Sequence, residues 1–139
     1  MTLRAIGDRV GLSEAPVQRR LRTLERSGWL LGYVALVDRV LANRDFTVFL
    51  SVELDVRSAE DRETVERRLT ALPEVVECHR ITGSSRYFVK VVTRDAQEFD
   101  TVNLTIMALP GFRRASRDVS LAWVKHTTAL PLPARAEDL

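Results

Sequence analysis

The spacing of apolar residues divides the chain into two regions of different secondary structure. Near the N-terminus, apolar residues recur every three or four positions, the period of a helix with one buried face. Leu3, Ile6 and Val10 predict a short helix over residues 3–10, with these three side chains facing inward. From Phe46 onward, alternating stretches typical of strands occur between further helical stretches. The sequence therefore predicts an α+β protein.

Residues 10–33 (VGLSEAPVQRRLRTLERSGWLLGY) predict the second half of a helix-turn-helix. Ser13 is a suitable N-cap, because its hydroxyl can accept a hydrogen bond from a backbone N–H of the first turn. Gly28 ends the helix. Gly11 and Leu12 supply the tight turn that precedes it, and two helices joined by such a turn are typical of this motif.

The predicted second helix has two unlike faces. Val17, Leu21 and Leu24 form an apolar stripe, and a row of arginines lies on the opposite side. An arginine-rich face is often merely solvated. Because this helix follows a short helix and a glycine turn in the sequence, however, the pattern favours DNA binding. The arginines are Arg19, Arg22 and Arg26.

The rest of the chain predicts the order β-α-β-β-α-β. Alternation from Phe46 to Leu54 indicates a strand with one buried face, and Ser58 with Asp61 resembles a capping box. A residue string that ends the first helix, ALPEV, is echoed by ALPGF 37 residues later, as expected for two related β-α-β halves. The predicted strands are 46–54, 75–81, 87–92 and 119–125, with one helix from Ser58 to Pro73 and another ending at Pro110.

This order predicts a ferredoxin-like sandwich with both helices on one side of the sheet. The other sheet face is then left uncovered and is expected to be partly apolar. Pairing of two such faces is the simplest way to bury it, so we expect a homodimer. A dimer also suits a helix-turn-helix protein that reads two half-sites.

Charge and composition narrow the function. Residues 1–33 carry six arginines against three acidic residues, a net charge of +3, whereas residues 34–139 carry a net charge of −1. The basic charge therefore lies where the groove-reading helix is predicted. No apolar run approaches the ~20 residues of a membrane span, and no signal peptide is seen. With one cysteine in 139 residues, we expect a cytoplasmic protein without a membrane partner.

The sequence offers little for catalysis. Cys78 and His79 are adjacent, but neighbouring side chains on a strand point to opposite faces, so they cannot form a nucleophile–base pair. The only other histidine is His126, and no spacing resembles a zinc site. We therefore expect no catalytic residue, metal or cofactor.

A basic helix-turn-helix followed by a β-α-β-β-α-β module resembles the Lrp/AsnC (leucine-responsive, or feast/famine) family of transcription regulators. The resemblance rests on four phrases in the family's order, at 10–33, 77–83 (ECHRITG), 108–112 (ALPGF) and 124–132 (VKHTTALPL). It implies a regulator that responds to an amino acid or a related carboxylate and binds double-stranded DNA. It also implies dimers that assemble further, often to octamers.

The resemblance divides the chain into three parts and assigns site residues. Residues 1–33 are expected to form a partial winged helix-turn-helix, 34–45 a connector with a strand and a turn, and 46–139 the effector-binding and oligomerisation domain. The DNA-binding residues implied are Ser13, Glu14, Ala15, Pro16, Gln18, Arg19, Arg20, Arg22 and Arg26. The effector-binding residues implied are Thr82, Gly83, Ser84, Ser85 and Arg86.

The sequence departs from the family pattern in two places. Family members open with a helix of the kind D-x-x-D-x-x-I-L, which is not seen before Thr2. We expect a start site recorded too far downstream, the alternative being a natural truncation that weakens DNA binding. In addition, the usual G-x-x-D turn ends here in Arg86, which exchanges an acceptor for ammonium for a donor pair suited to carboxylate. Arg86 then contacts the effector or faces solvent on the hairpin.

Two other functions fit the same architecture. One is an effector sensor that assembles with full-length regulators and does not bind DNA itself. The other is a subunit of an enzyme resembling the siroheme decarboxylases, which have a histidine- and arginine-rich stretch at the second and third strands. His79 alone is a poor match to that stretch, so we expect a regulator and not an enzyme.

Overall fold

The computed structural model describes residues 2–82 and 86–131, and the chain divides into two compact units. The first unit comprises residues 1–37 and the second residues 38–139. The division falls inside the predicted connector.

The first unit is a pair of helices, as predicted. Helix α1 (Leu3–Val10) ends at Gly11, whose φ of 68° is the left-handed conformation that glycine adopts without strain. The turn then folds back, and the Leu12 amide donates to the Gly7 carbonyl oxygen at 3.0 Å. A Cβ at buried Gly7 would collide with the Leu12 carbonyl, so this close approach requires glycine. Helix α2 (Glu14–Arg26) follows at once.

The N-cap of α2 differs from the prediction. Ser13 occupies the cap position, but its hydroxyl makes no capping hydrogen bond. In the other three helices that the structure describes, the capping side chain accepts from the amide of the third helical residue; these caps are Thr2, Ser58 and Asp95. In α2 that third residue is Pro16, which has no N–H to donate. The expected hydroxyl contact is therefore absent.

The apolar stripe of this unit is only partly covered. Val17 is buried, whereas Val10 is 57% exposed and Leu24 is 40% exposed. The inward orientation predicted for Val10 is therefore wrong, and Leu24 is covered less than predicted. Two short helices that pack on each other cannot enclose a full stripe, because each shields only the positions nearest the contact.

The second unit has the predicted β-α-β-β-α-β order. The elements in the described residues are β1 (Phe46–Leu54), α3 (Ala59–Thr70), β2 (Val75–Ile81), β3 (Arg86–Thr93), α4 (Ala96–Met107) and β4 (Phe112–Val119). These strands form one antiparallel sheet in the order β2-β3-β1-β4. The capping box at Ser58 and Asp61 is confirmed in both directions.

The core lies between one sheet face and both helices. Leu50 of the central strand β1 is fully buried, as are Val89 of β3 and Leu69 of α3. Ile106 of α4 completes the same cluster. Both helices therefore cover one side of the sheet, as predicted, and the alternate residues of β1 face the other side.

The predicted fourth strand at 119–125 is wrong. β4 runs from Phe112 to Val119, and Leu121 beyond it is 97% exposed. β4 lies at the sheet edge and pairs only with β1, so few of its positions need apolar side chains. Arg117, for example, crosses to α4 and donates to an asparagine oxygen there at 2.9 Å. An edge strand with polar side chains gives no apolar alternation to detect.

The connector contains no strand in the structure. Within residues 34–45 the defined feature is a turn, in which the Asp38 carboxylate accepts from the Val40 and Leu41 amides at 2.8 and 3.0 Å. The apolar composition favours a strand, but a strand needs a neighbour for its backbone hydrogen bonds. Gly83, Ser84 and Ser85, predicted to form a turn, lie outside the described residues.

The buried face of β1 can be tested with a matched pair of leucine substitutions. Leu50→Ala is expected to lower the free energy of unfolding of the second unit by about 2–5 kcal/mol, because it opens a cavity in the core. Leu104→Ala, at a 65% exposed position of α4, is the control and should change it by no more than about 0.5 kcal/mol. Urea unfolding followed by circular dichroism measures both. Equal losses would contradict this core.

Candidate DNA-binding surface and effector site

One side of α2 forms an open depression of about 450 Å³. Arg19, Arg22 and Arg26 point into it from successive turns of the helix, opposite buried Val17. The depression thus combines three cations on a rigid element that presents them in one row. Its remaining lining residues are Ala15, Gln18 and Glu25.

The arginine row of α2 differs in its pairing from most of the described arginines of the second unit. Among the described residues, no carboxylate forms an ion pair with Arg19, Arg22 or Arg26. In the described part of the second unit, seven arginines are ion-paired: Arg44, Arg57, Arg80, Arg86, Arg94, Arg113 and Arg114. The cations on α2 are therefore available to an external anion.

The other predicted DNA-binding residues lie around this row. Ser13, Glu14 and Arg20 are exposed, and Pro16 is half-buried in the first turn. Ala15 and Gln18 line the depression with the arginines. The structure thus brings five of the nine predicted residues, counting Arg26, together along the depression. Arg20 and the N-terminal residues lie at its margin.

A contact at the C-terminal end of this surface was not predicted. The Tyr33 hydroxyl donates to Glu25 Oε1 at 2.8 Å. That hydrogen bond raises the pKa of Tyr33, since the neighbouring carboxylate disfavours the phenolate. Helical spacing from Arg22 would have placed Glu25 beside the arginine row, but the chain reversal that brings Tyr33 back to it has no simple sequence signal.

Of the five predicted effector-binding residues, the structure describes Thr82 and Arg86. Thr82 follows the end of β2 and is exposed. Arg86 opens β3 directly opposite Glu53 of β1, and its Nε lies 3.7 Å from Glu53 Oε2. Arg86 is therefore ion-paired with a carboxylate on the uncovered sheet face, while its side chain remains exposed.

Glu53 is held by arginines from both neighbouring strands. Arg114 of β4 donates from Nε to Glu53 Oε2 at 3.0 Å, and its Nη2 forms an ion pair with the same oxygen at 2.9 Å. All these contacts use Oε2, so that no described residue donates to Oε1. The Arg114 hydrogen bond, followed by the charges of Arg114 and Arg86, holds the pKa of Glu53 below its usual range.

The Glu53 cluster lines a cavity of about 320 Å³ with two serines, Ser51 and Ser116. The size suits a molecule as small as an amino acid. Sequence reasoning missed Glu53 and Arg114. In the sequence, Glu53 is simply one of the polar residues that alternate along β1. Arg114 lies in β4, which the sequence analysis placed at 119–125.

Cys78 and His79 confirm the predicted separation. Cys78 packs against the core, where burial raises the pKa of its thiol, whereas the His79 side chain is exposed. Among residues 2–82 and 86–131, no group of histidines, cysteines and carboxylates is arranged to hold a metal ion. In that same part of the chain, no helix has the length and apolar character needed to cross a membrane.

Comparison with known protein families agrees with both parts of this architecture. Residues 1–30 match a winged helix-turn-helix DNA-binding model, and residues 47–130 match the Lrp/AsnC ligand binding domain. The chain belongs to the Lrp/AsnC family of transcriptional regulators. The α+β fold class and the family resemblance are therefore confirmed.

Individual relatives are similar over most of their length. The HTH-type transcriptional regulator Zrp of Zymomonas mobilis is 33% identical over 131 residues, covering 94% of this chain and 86% of Zrp. A crystal structure of an AsnC family transcriptional regulator from Agrobacterium tumefaciens has a TM-score of 0.87 at 31% identity, covering 94% and 86%. The transcriptional regulator NMB0573 of Neisseria meningitidis, in complex with L-Met, has a TM-score of 0.86 at 30% identity, covering 94% and 85%.

The ion pairs of Glu53 predict a pH-dependent contribution to stability. Because the folded state lowers the pKa of Glu53 from 4.5, its contribution is present above pH 4.5 and lost as the pH falls through the folded value. Glu53→Gln should therefore be less stable than wild type at pH 7, and the gap should close below pH 4.5. Thermal unfolding measures this. Glu63→Gln, an exposed position on α3, is the control and should leave the midpoint near wild type; a gap that is constant with pH would contradict the pairing.

Proposed function

We propose that this regulator recognises specific DNA sequences through α2, which enters the major groove. The observation that carries the proposal is the arginine row on the second helix of a helix-turn-helix, without ion pairs among the described residues. Arg19 and Arg22 are the residues assigned to bidentate contact with guanine or to phosphate, because a guanidinium fork fits both. Arg20, at the margin of the row, is assigned to phosphate.

We further propose that two copies pair through the uncovered sheet face. Phe49 and Phe88 stack there with ring centroids 5.6 Å apart, and Phe88 is 38% exposed. In the first unit, the segment 29–37 also exposes apolar side chains, among them Trp29 and Leu31, which a partner could cover. Pairing would place two copies of α2 on two half-sites. Assembly of such dimers into octamers remains an expectation from the family.

We propose an amino acid as the effector, bound at the Glu53 cluster. Glu53 Oε1 is an available acceptor for an ammonium group, and the Nη donors of Arg86 suit a carboxylate. Glu53 thus supplies the acceptor that the sequence was expected to lose at position 86. The complex of the related NMB0573 with L-Met supports this class of ligand.

The chain acts, on this proposal, as a cytoplasmic regulator and not as an enzyme. Its relatives are transcriptional regulators, and the exposed His79 gives no support to a decarboxylase site. Assembly with other full-length regulators would use the same sheet face. No observation favours it over pairing of identical copies.

The DNA proposal predicts a specific loss in a double variant. Arg19→Ala with Arg22→Ala should abolish sequence-specific binding and reduce the slope of log affinity against log salt by about 2, one unit for each cation removed. Fluorescence anisotropy with the target duplex at several salt concentrations measures this. Arg67→Ala with Arg68→Ala, two exposed arginines of α3, is the matched control. Unchanged binding by the first pair would refute the assignment of α2.

The effector proposal predicts discrimination between ligand classes. Calorimetry should detect binding of one or more L-amino acids but not of the matched α-keto acids, which lack the ammonium group. Glu53→Gln should weaken that binding by about 10-fold or more, the value of a charge-assisted hydrogen bond. Arg94→Met removes an exposed ion pair outside the cavity and is the control. Equal affinity for keto acid and amino acid would count against Glu53 as the ammonium acceptor.

A further inference from the structure

The DNA-facing depression contains one carboxylate among its described lining residues. Glu25 lies three residues after Arg22 and one before Arg26. Side chains three positions apart on a helix are neighbours, and opposite charges at that spacing attract. Glu25 is therefore placed to form an ion pair with Arg22, which would make this arginine unavailable to DNA phosphate.

Glu25 does not make that pair in the structure. Among the described residues it forms no ion pair with either neighbouring arginine, and its Oε1 instead accepts the hydrogen bond from Tyr33. Arg26 is turned along the helix, with its Nε donating to the Arg22 carbonyl oxygen at 3.3 Å. The carboxylate and the cations are thus held apart although they share one face.

We propose that Tyr33 is a positioning residue for DNA binding, which holds the Glu25 carboxylate away from Arg22 and Arg26. This inference rests on the proposed recognition by α2. The Tyr33 hydroxyl is neutral, so its hydrogen bond satisfies the Glu25 carboxylate while the arginines stay unpaired. The arginines then remain open to phosphate.

The local chain path explains how Tyr33 reaches Glu25. Gly28 has a φ of 78°, a left-handed conformation that ends α2 and reverses the chain. The amides of Trp29 and Leu30 both donate to the Leu24 carbonyl oxygen, at 2.9 and 3.2 Å. These bonds hold the returning segment against the last turn of the helix, which brings the Tyr33 hydroxyl within 2.8 Å of Glu25.

Loss of the hydroxyl should act through the arginines. A carboxylate released beside Arg22 gains by pairing with it, and DNA must then break that pair before a phosphate can be bound. Each arginine that no longer contacts a phosphate lowers the number of counterions released on binding. The salt dependence of DNA binding falls accordingly. A tyrosine hydroxyl is protonated at neutral pH and can donate this bond, and the hydrogen bond to Glu25 raises the pKa of Tyr33 further.

A double-mutant cycle on the full chain tests this. Tyr33→Phe should weaken DNA binding by about 2- to 10-fold, the range of one hydrogen bond, and reduce the salt slope by up to about 1. Glu25→Gln should bind at least as tightly as wild type. In the Glu25→Gln background, Tyr33→Phe should have no further effect, because no carboxylate remains to be released. Circular dichroism at 222 nm confirms that each variant keeps its helices.

A second measurement needs no DNA and separates this inference from the function on which it rests. The Nε–H signals of Arg22 and Arg26 in ¹⁵N NMR spectra should shift in Tyr33→Phe and return in the double variant. Absence of that shift, or an equal loss of DNA affinity in both backgrounds, would overturn the role of Tyr33. Failure of Arg19→Ala with Arg22→Ala to weaken binding would instead overturn recognition by α2.

Discussion

The central strand β1 is the constraint on which the second unit depends. Its alternating pattern buries Leu50 and its neighbours on one face with no exposed area, and the residues between them face the other side of the sheet. β1 pairs with both β3 and β4, so its register fixes theirs. Arg86 and Arg114 meet at Glu53 because both registers run through this strand. A one-residue slip would remove the core and the candidate site together.

Charge is distributed between the two units according to what each does. In the second unit, carboxylates such as Asp55 are matched by arginines. The hydrogen bonds from Arg57 and then Arg113 lower the pKa of Asp55, and exposed pairs of this kind contribute modestly to stability. In α2 the arginine row has no such match among the described residues. Glu25, the carboxylate among the described residues that line the depression, accepts a hydrogen bond from the neutral hydroxyl of Tyr33. Positive charge is thereby concentrated where a polyanion would bind.

Sequence patterns predicted the helices and strands that bury one face and expose the other. β1, β2 and α1 have the predicted bounds, because apolar spacing directly records which face is buried. β4 was misplaced because half-buried Ala115 and exposed Arg117, which lie on the helix side of this edge strand, give no apolar alternation. The Ser13 cap failed because Pro16 removes the donor, an interaction between two individually favourable residues. The Glu53 cluster joins three strands, so only the sheet register could reveal it.

The limited core of the first unit links its stability to association. Val17 is the one large apolar side chain fully buried among its described residues, while Leu24 and the apolar segment 29–37 remain accessible. A unit that buries so little is marginal by itself, since the conformational entropy of ordering its chain must be offset. In the proposed dimer, any cover that a second copy gives this segment stabilises the helix pair by mass action. DNA affinity would then depend on protein concentration in two ways. Association would stabilise the folded first unit, and it would also bring two copies of α2 to two half-sites.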